Sequence, residues 1–355
     1  MARRMTRLLA LACAVGLVTT LTACAADREG PPGTFTLVVG DSFPTTHPFS
    51  RDGAQFFVER ATELSGGQLQ FDYHPSENLG AAEDFVNLAR SGVVDIAMVS
   101  PGYVSSQLPL SGVADLPAMT TDPCQGALGL EPLLAEGGVL YENDFAPDGL
   151  HPLVVGVVTG YEVMTGGGVA VTDPSDVDGM VLRSSGGAID RTVDHLGAAP
   201  VAMPVTEMYE AISRGTVDGT VLGPLSALPY RLDEAATHST LGAQLGSFTI
   251  TYSIGRATWD GLPPDLQDVL TRAGLDTNRH LCREVADYDA QSRDELEAGG
   301  LEFHRLTPDE QRRWREVAAP VREEWVADME RMGLPGRAVL DDLLASQRTL
   351  AGQPR

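Results

Sequence analysis

The chain has 355 residues, 43% of them hydrophobic, and a formal net charge of −24 from 25 basic and 49 acidic side chains. Every basic residue is Arg, which excludes Schiff-base and pyridoxal-phosphate chemistry on a lysine and the lysine of a phosphate-binding P-loop. Because the sequence contains no basic stripe, nucleic-acid binding and electrostatic adhesion to anionic lipid are also excluded.

The chain begins with the layout of a secretory signal peptide. Arginines at 3, 4 and 7 precede an apolar run over 8–20, and this run is shorter than the ~20 residues that span a membrane. The sequence LTAC over 21–24 resembles a bacterial lipobox, so we expect cleavage before Cys24 and acylation of that residue. More than one acyl chain would anchor the protein stably. The alternative is an ordinary signal peptide with a chance cysteine.

Two of the four cysteines remain after export. Cys13 lies in the signal and Cys24 at the lipid site, which leaves Cys124 and Cys282. A disulfide between them would close a loop of about 158 residues and stabilise by up to about 5 kcal/mol; two separate buried thiols are the alternative. Neither cysteine has a Cys or His neighbour at ligand spacing, so we expect no metal site.

The first part of the mature chain alternates predicted strands and helices. Strand formers over 34–39 lead into a turn-rich loop over 41–48, and amphipathic spacing predicts a helix over 50–64. The remaining predicted elements are a strand over 68–73, a loop over 75–80, a helix and buried strand over 82–101, a helix over 123–134 and a strand over 153–159.

Residues 176–224 predict strand, helix, strand, helix and strand. Such alternation favours a mainly parallel sheet, with ligands bound beyond the carboxyl ends of the strands. Arg183 stands at one such end and is followed by a Ser-Ser-Gly-Gly turn and a predicted helix over 188–196. A guanidinium beside free helix N–H groups is suited to binding a carboxylate or phosphate. The alternative is that Arg183 edges the sheet and pairs with a nearby acid.

The segment 82–101 aligns without gaps on 205–224, with a helix-ending glycine, a Val-Asp turn and a terminating proline in the same places. This repeat indicates two similar α/β lobes with a cleft between them, a common place for a ligand. Asp95 and Asp218 are interpreted as turn and strand-entry residues and not as catalysts.

The last part of the chain is predicted to be mainly helical. Strand formers over 248–253 return the chain to the first lobe, and Pro263-Pro264 opens a helix that persists to about residue 298, roughly 50 Å. A capping box at Thr307 and Glu310 starts another helix, and a last one follows Pro335. We therefore expect a signal over 1–23, a tether over 24–33, lobe I over 34–155 and 246–262, lobe II over 156–245, and a long spanning helix with C-terminal helices over 263–355.

Signatures of catalysis are scarce. The seven histidines are far apart in sequence, so none forms a His-x-x-His-type metal pair. Asp194 and His195 point in different directions on their helix, so they are not expected to form a catalytic dyad. The three glycines over 166–168 are interpreted as a flexible turn and not as a phosphate-binding loop. No catalytic residue, cofactor or metal is expected.

Four motifs together resemble the solute-binding proteins of tripartite ATP-independent periplasmic (TRAP) transporters, over nearly all of residues 34–345. They are Pro44-x-x-His47-Pro48; His74-Pro75-Ser76-x-x-Leu79-Gly80 with the following Gly92-x-Val94-Asp95; Gly179-x-x-Leu182-Arg183; and Gly197-Ala198-x-Pro200-Val201-x-Met203-Pro204-x-x-Glu207-x-Tyr209 with Val217-Asp218-Gly219.

The resemblance implies an α/β, two-lobed clamp of the periplasmic-binding-protein type, with a long C-terminal helix spanning both lobes. The arginine that matches Arg183 binds a ligand carboxylate in the family. Val163 and Gly186 replace an arginine and an asparagine of some sugar-acid binders, and Leu222 replaces a frequent asparagine. We therefore expect a small carboxylate with a more apolar body. The expected ligand-binding residues are Arg183, Ser185, Gly186, Leu222, Phe43, His47, Ser100 and Tyr103.

The expected function is capture of a small organic acid and its delivery to integral membrane TRAP permease subunits driven by an ion gradient. We expect a monomer, exported and held by lipid on the outer face of the cytoplasmic membrane. An exported lipoprotein enzyme with Arg183 as substrate anchor is one alternative. A binding component of an ATP-driven importer or of a sensor is another.

Overall fold

The structure is a computed structural model that describes residues 33–352. The predicted signal peptide, Cys24 and all but the last residue of the tether lie outside these residues. Within 33–352, no helix combines the length and the hydropathy needed to cross a membrane.

Eleven strands and ten α-helices build the described part of the chain. The strands are β1 (Phe35–Gly40), β2 (Leu69–His74), β3 (Ile96–Val99), β4 (Leu150–Val158), β5 (Glu162–Gly166), β6 (Val181–Ser184), β7 (Ala199–Ala202), β8 (Gly219–Leu222), β9 (Ala236–Leu241), β10 (Phe248–Gly255) and β11 (Glu302–Arg305). The helices are α1 (Phe56–Leu64), α2 (Phe85–Ser91), α3 (Pro123–Leu134), α4 (Ala188–His195), α5 (Met208–Ser213), α6 (Arg256–Gly261), α7 (Pro264–Gly299), α8 (Pro308–Ala318), α9 (Pro320–Arg331) and α10 (Gly336–Ala351).

The strands form two mixed sheets, one in each lobe. The first has the order β2-β1-β3-β10-β4, and the second has the order β11-β9-β5-β8-β6-β7. In the first sheet β1 pairs in parallel with β2 and β3, while β10 runs antiparallel to β3 and β4. In the second, β6 pairs in parallel with β7 and β8, as the strand-helix alternation predicts.

The repeat seen in the sequence is a repeat of structure. In both copies a short 3₁₀ turn leads into a helix, α2 or α5, then into a glycine with positive φ and a buried strand. The Asp95 carboxylate accepts a hydrogen bond from the Val38 N–H at 2.8 Å, and the Asp218 carboxylate accepts one from the Val181 N–H at 2.8 Å. Both aspartates thus fix a neighbouring strand, which confirms their interpretation as strand-entry residues.

Two chain segments cross between the sheets side by side. The first follows β4 and the second precedes β10. Tyr161 N–H donates to the Gly246 carbonyl at 3.2 Å, and Leu245 N–H donates to the Tyr161 carbonyl at 2.9 Å. The two crossovers therefore form one short antiparallel ribbon between the lobes, which we call the hinge ribbon.

The long helix α7 contacts both lobes. Asn278 accepts from the Val155 N–H of the first sheet at 2.8 Å, and Glu297 pairs with Arg305 of β11 at 2.9 Å. A disulfide joins Cys124 of α3 to Cys282 of α7. Of the two alternatives given for these cysteines, a disulfide or two separate thiols, the structure has the disulfide. Prediction of α7 from its opening prolines and closing glycines is confirmed.

Two local expectations were incomplete. No strand was expected between α7 and α8, yet residues 302–305 form β11 and pair in parallel with β9. The second strand predicted within 176–224 is the short β7, which ends at Ala202, and a 3₁₀ turn over Val205–Glu207 precedes α5. By contrast, the capping box at Thr307 and Glu310 is present in both directions.

Candidate ligand-binding cleft

A small cavity lies between the lobes, where the carboxyl ends of β1, β3, β6 and β8 meet the hinge. Its volume is about 10 Å³, far below the about 300–1,000 Å³ of cavities that hold drug-sized ligands, so the lobes must open to admit a ligand. This position at the strand ends is the usual ligand site of open α/β sheets. The lining residues are Phe43, Tyr103, Val158, Tyr161, Arg183, Val205, Leu222, Ser226 and Phe248.

Arg183 is the charged group of this lining and is only 1% exposed. Its Nε and Nη2 atoms donate to the Met203 carbonyl at 3.0 and 2.7 Å, whereas Nη1 is buried without a hydrogen-bond partner. No carboxylate among residues 33–352 forms an ion pair with it, so the interpretation as a sheet-edge residue paired with an acid is wrong. Burying a cation with an unsatisfied N–H donor costs folding free energy unless an anion accepts a hydrogen bond from that donor.

Two further buried donors without partners lie where the lobes meet, outside the lining of the cavity. The Ser100 and Ser185 hydroxyls are buried and have no hydrogen-bond partner. A Cβ placed on Gly102 would lie 3.5 Å from the Ser185 Oγ and 3.6 Å from the Ser100 Oγ. Both hydroxyls therefore face the same point between the lobes, although Ser100 follows β3 of one lobe and Ser185 follows β6 of the other.

Two glycines allow the lobes to meet at this point. Gly186 has φ +88°, and a Cβ on it would lie 2.6 Å from the Gly102 carbonyl oxygen. A side chain at Gly186 would clash with the backbone of the other lobe, and one at Gly102 would lie close to the Ser185 carbonyl oxygen, at 3.1 Å. Gly186 was expected at the site from the sequence. Its positive φ and the close Gly102 carbonyl oxygen explain why this residue is a glycine.

Tyr103 connects the two lobes. Its hydroxyl oxygen accepts a hydrogen bond from the Val205 N–H at 3.2 Å, and its ring packs on Phe248 with centroids 5.1 Å apart. Burial raises the pKa of Tyr103 above its ordinary value, with Arg183 opposing the rise. The hydroxyl keeps its proton, and that proton is available as a donor.

His47 lies behind the cavity wall and not among its lining residues. Its ring stacks on Phe43 with centroids 4.2 Å apart, its Nδ1 accepts from the Phe49 N–H at 3.2 Å, and its Nε2 lies 3.5 Å from the Ser226 Oγ. Burial, with a smaller contribution from Arg51, lowers the pKa of His47 to about 3. A neutral His47 therefore supports Phe43, and its expected direct contact with a ligand stays a prediction.

Asp41 holds the loop that carries Phe43 through buried hydrogen bonds. Its carboxylate accepts hydrogen bonds from the Phe43 N–H at 2.9 Å, the Tyr73 hydroxyl at 2.7 Å and the Tyr252 hydroxyl at 3.1 Å. Burial raises the pKa of Asp41 to about 6 against these hydrogen bonds. The position of Phe43 is therefore set by a buried polar cluster that the sequence analysis did not identify.

The structure brings most of the expected residues together. Phe43, Tyr103, Arg183 and Leu222 line the cavity, and Ser100, Ser185 and Gly186 meet beside Gly102. Sequence reasoning missed the residues of the crossovers and their surroundings. Residues that join two lobes necessarily border the cleft, and that signal would have found them. The missed lining residues are Val158, Tyr161, Val205, Ser226 and Phe248.

Comparisons with known proteins agree with this geometry. The family model described as "Bacterial extracellular solute-binding protein, family 7" matches residues 40–328. The C4-dicarboxylate-binding periplasmic protein DctP of Rhodobacter capsulatus is 27% identical over 289 residues, which cover 79% of this chain and 83% of that protein.

Solved structures share the whole architecture. A TRAP solute-binding protein from Rhodoferax ferrireducens T118, in complex with copurified benzoate, superposes with a TM-score of 0.80 at 25% identity and covers 90% of this chain and 100% of that one. A TRAP periplasmic solute-binding protein from Bordetella bronchiseptica, with bound (R)- and (S)-mandelate, gives 0.79 at 24% identity and covers 89% and 99%. The predicted two-lobed clamp with a long C-terminal helix is confirmed.

Proposed function

The chain belongs to family 7 of the bacterial extracellular solute-binding proteins, and we propose that it binds an aromatic acid with a single carboxylate in the cleft at Arg183. The family and its structural neighbours are TRAP solute-binding proteins, which deliver a captured solute to membrane permease subunits. The observation that carries the proposal is the buried Nη1 of Arg183, which has no partner.

The carboxylate of the ligand would complete the polar end of the cleft. Arg183 Nη1 supplies a charged donor, and the Ser100 and Ser185 hydroxyls supply two neutral ones. Hydrogen bonds between a guanidinium and a carboxylate gain strength when water is excluded, as it is at these buried atoms. One anionic group satisfies all three.

The rest of the cavity favours an apolar, flat ligand body. The rings of Phe43, Tyr103, Tyr161 and Phe248 line it together with three aliphatic side chains. Within the described lining no second cation is present to take a second carboxylate. Val163 lies in the core of β5 and is fully buried, so it offers a sugar acid no hydrogen bond. Benzoate in the 25% identical Rhodoferax protein is consistent with this ligand class.

Ligand capture would proceed by closure of the lobes about the hinge ribbon. The acid enters between open lobes and pairs with Arg183 on lobe II. Tyr103 then donates its free proton toward the ligand while accepting from the Val205 N–H. The Gly102 and Gly186 backbones meet, and the closed state removes the ligand from water.

The ligand class is tested by thermal shift on the chain without its predicted signal peptide. Benzoate, succinate and galacturonate serve as probes of an aromatic, a dicarboxylic and a sugar acid, because a ligand that binds only the folded state raises its melting temperature. We expect a shift with benzoate and none with the other two. A shift with succinate or galacturonate alone would overturn the proposed class while leaving the clamp in place.

The lipid anchor at Cys24 is a second part of the proposal. It is supported by the LTAC sequence over 21–24 after an apolar run. Mass spectrometry of the mature N-terminus tests it: we expect acylated Cys24 in the wild type and no acylation in Cys24→Ser. Unmodified protein cleaved at another residue would contradict the anchor and leave the cleft unaffected.

A further inference from the structure

A second cavity lies at the hinge, on the side of the C-terminal helices. It is partly open to solvent and has a volume of about 300 Å³. A loop of the first lobe, the second crossover and the junction of α8 with α9 meet around it. The residues that matter are Pro117, Ala118, Ala243, Gln244, Arg315 and Arg322.

Both arginines of this cavity lack an acidic partner. Neither Arg315 nor Arg322 forms an ion pair with any residue in the described part of the chain, although the chain carries a net charge of −24. Glu323, the acid adjacent to Arg322, also lines the cavity, but its carboxylate accepts from Arg337 at 3.2 Å. Most other described arginines, for example Arg313 with Asp173 at 2.7 Å, are paired.

Arg322 is half-buried and incompletely bonded. Its Nη2 donates to the Pro117 carbonyl at 3.2 Å, and no other hydrogen bond of its side chain is present within residues 33–352. Burial lowers the pKa of Arg322 from its ordinary value, and the nearby Glu323 opposes that change only in part. A guanidinium that is partly removed from water, with donors to spare, is suited to binding an oxyanion.

The backbone on the opposite wall is strained. Ala118 and Gln244 have φ of +53° and +54°, a left-handed region that is unfavourable for a residue with a Cβ. The two residues are joined, since Ala118 N–H donates to the Gln244 carbonyl at 3.2 Å. Strained residues of this kind cluster at ligand clamps and hinges. Ala243 is held from lobe II, because its N–H donates to the Glu162 carboxylate at 3.0 Å.

We propose that this hinge cavity binds a small oxyanion, such as sulfate, phosphate or a short carboxylate, between Arg315 and Arg322. The anion supplies hydrogen-bond acceptors that Glu323, whose carboxylate is bonded to Arg337, does not supply. Because Arg322 also holds the Pro117 carbonyl, a bound anion fixes the loop that carries Ala118 against the crossover at Gln244. The site is separate from the cleft and does not depend on the identity of the cleft ligand.

Isothermal titration calorimetry of the chain without its predicted signal peptide tests the site. Sodium sulfate is the main probe, with phosphate and acetate in parallel, and sodium chloride holds the ionic strength constant so that general screening does not contribute. We expect saturable binding of sulfate to the wild type. Loss of one charged hydrogen-bonding partner weakens binding by about tenfold or more, and we expect this in Arg322→Gln and in Arg315→Gln.

Arg348→Gln on α10 is the matched control, since Arg348 also lacks an ion pair but does not line the cavity. It should bind sulfate as the wild type does. Arg315 is exposed, so Arg315→Gln keeps the fold even if Arg322→Gln does not. No saturable heat in the wild type, or equal binding in Arg315→Gln and the wild type, would overturn the proposal.

Discussion

The strands that pair with the two copies of the repeated module carry different residues at one equivalent position, and this difference explains the different roles of the two lobes. In lobe I, Gly40 of β1 pairs with Ala97 of β3; in lobe II, Arg183 of β6 pairs with Thr220 of β8. The alignment of 82–101 on 205–224 makes these two pairs equivalent. The equivalent strand position is therefore occupied by Gly40 in lobe I and by Arg183, whose guanidinium lies in the cleft, in lobe II.

The surroundings of Gly40 show why the positions cannot be exchanged. A Cβ on Gly40 would lie 2.6 Å from the ring of Phe85, which fills this place from α2. Lobe I thus uses the position for core packing and presents Phe43, from the loop beyond, to the cleft. Lobe II instead places the charged Arg183 side chain in the cleft. A repeated fold acquires an asymmetric site by changing what stands at one strand end.

The lobes also differ in covalent bracing. The disulfide joins α3 and α7 over the first sheet, and the described cysteines of the chain are both in it. Loss of a native disulfide costs about 2–5 kcal/mol. We expect that much destabilisation of Cys124→Ser/Cys282→Ser in urea, with benzoate affinity unchanged. A double variant that loses ligand binding while folded would show that the bridge shapes the cleft.

A substitution at Gly40 tests whether lobe I needs this position for the packing of Phe85. Gly40→Ala forces the added methyl against Phe85, and overpacking of this kind costs about 1–3 kcal/mol. Chemical denaturation is the measurement, and Gly112→Ala is the control, because a Cβ there meets nothing within 4 Å. Equal stability of the two variants would show that Phe85 moves aside freely.

The paired aspartates test the repeat itself. Asp95→Asn and Asp218→Asn each weaken a carboxylate bond to a strand N–H, which we expect to cost about 1–2 kcal/mol of folding stability. Val181 stands two residues before Arg183, whereas Val38 stands two before Gly40. Asp218→Asn should therefore also weaken benzoate binding in a titration, and Asp95→Asn should not. Equal effects on binding would contradict the division of labour.

A buried carboxylate beside the hinge ribbon gives the last prediction, a pH dependence of folding stability. Burial raises the pKa of Glu162 to about 7, although Thr240 and the Gly242 and Ala243 N–H groups bond it. The folded state then binds a proton that the unfolded state has released, so this contribution to stability is present at about pH 4 and is lost as the pH rises to about 7. The difference amounts to about 1.4 kcal/mol per pH unit in that window.

Comparison of the wild type with Glu162→Gln isolates this effect from other groups. His47 and His151 act in the opposite direction, because burial lowers the pKa of each, to about 3 and about 4. Denaturation from pH 5 to pH 8 should show the wild type gaining stability relative to Glu162→Gln as the pH falls. A constant difference between the two proteins would contradict the buried, proton-binding state of Glu162.

Much of the fold and part of the site follow from local sequence signals. The capping box at Thr307, the opening prolines of α7 and the repeat around Asp218 each act over a few residues, and each is present in the structure. Arg183 was identified because its strand end and glycine turn are adjacent in the chain.

The rest depends on contacts between distant residues. The segment EFHR of β11 alternates poorly between faces, and its pairing with β9, more than sixty residues earlier, is what makes it a strand. Tyr161 and Phe248 reach the cavity only through the register of two crossovers. His47 matched a family motif, but its stacking on Phe43 places it behind the wall. No local pattern carries these facts.

The most direct test of the account is the affinity of benzoate against benzamide, its neutral analogue, for the wild type and Arg183→Gln. Removing one partner of a buried charged pair costs about 2–5 kcal/mol. The account predicts that the wild type prefers benzoate by at least about thirtyfold and that Arg183→Gln loses this preference, while Arg348→Gln keeps it. A wild type that binds both equally well, or an Arg183→Gln protein that still prefers benzoate, would contradict the central role of Arg183.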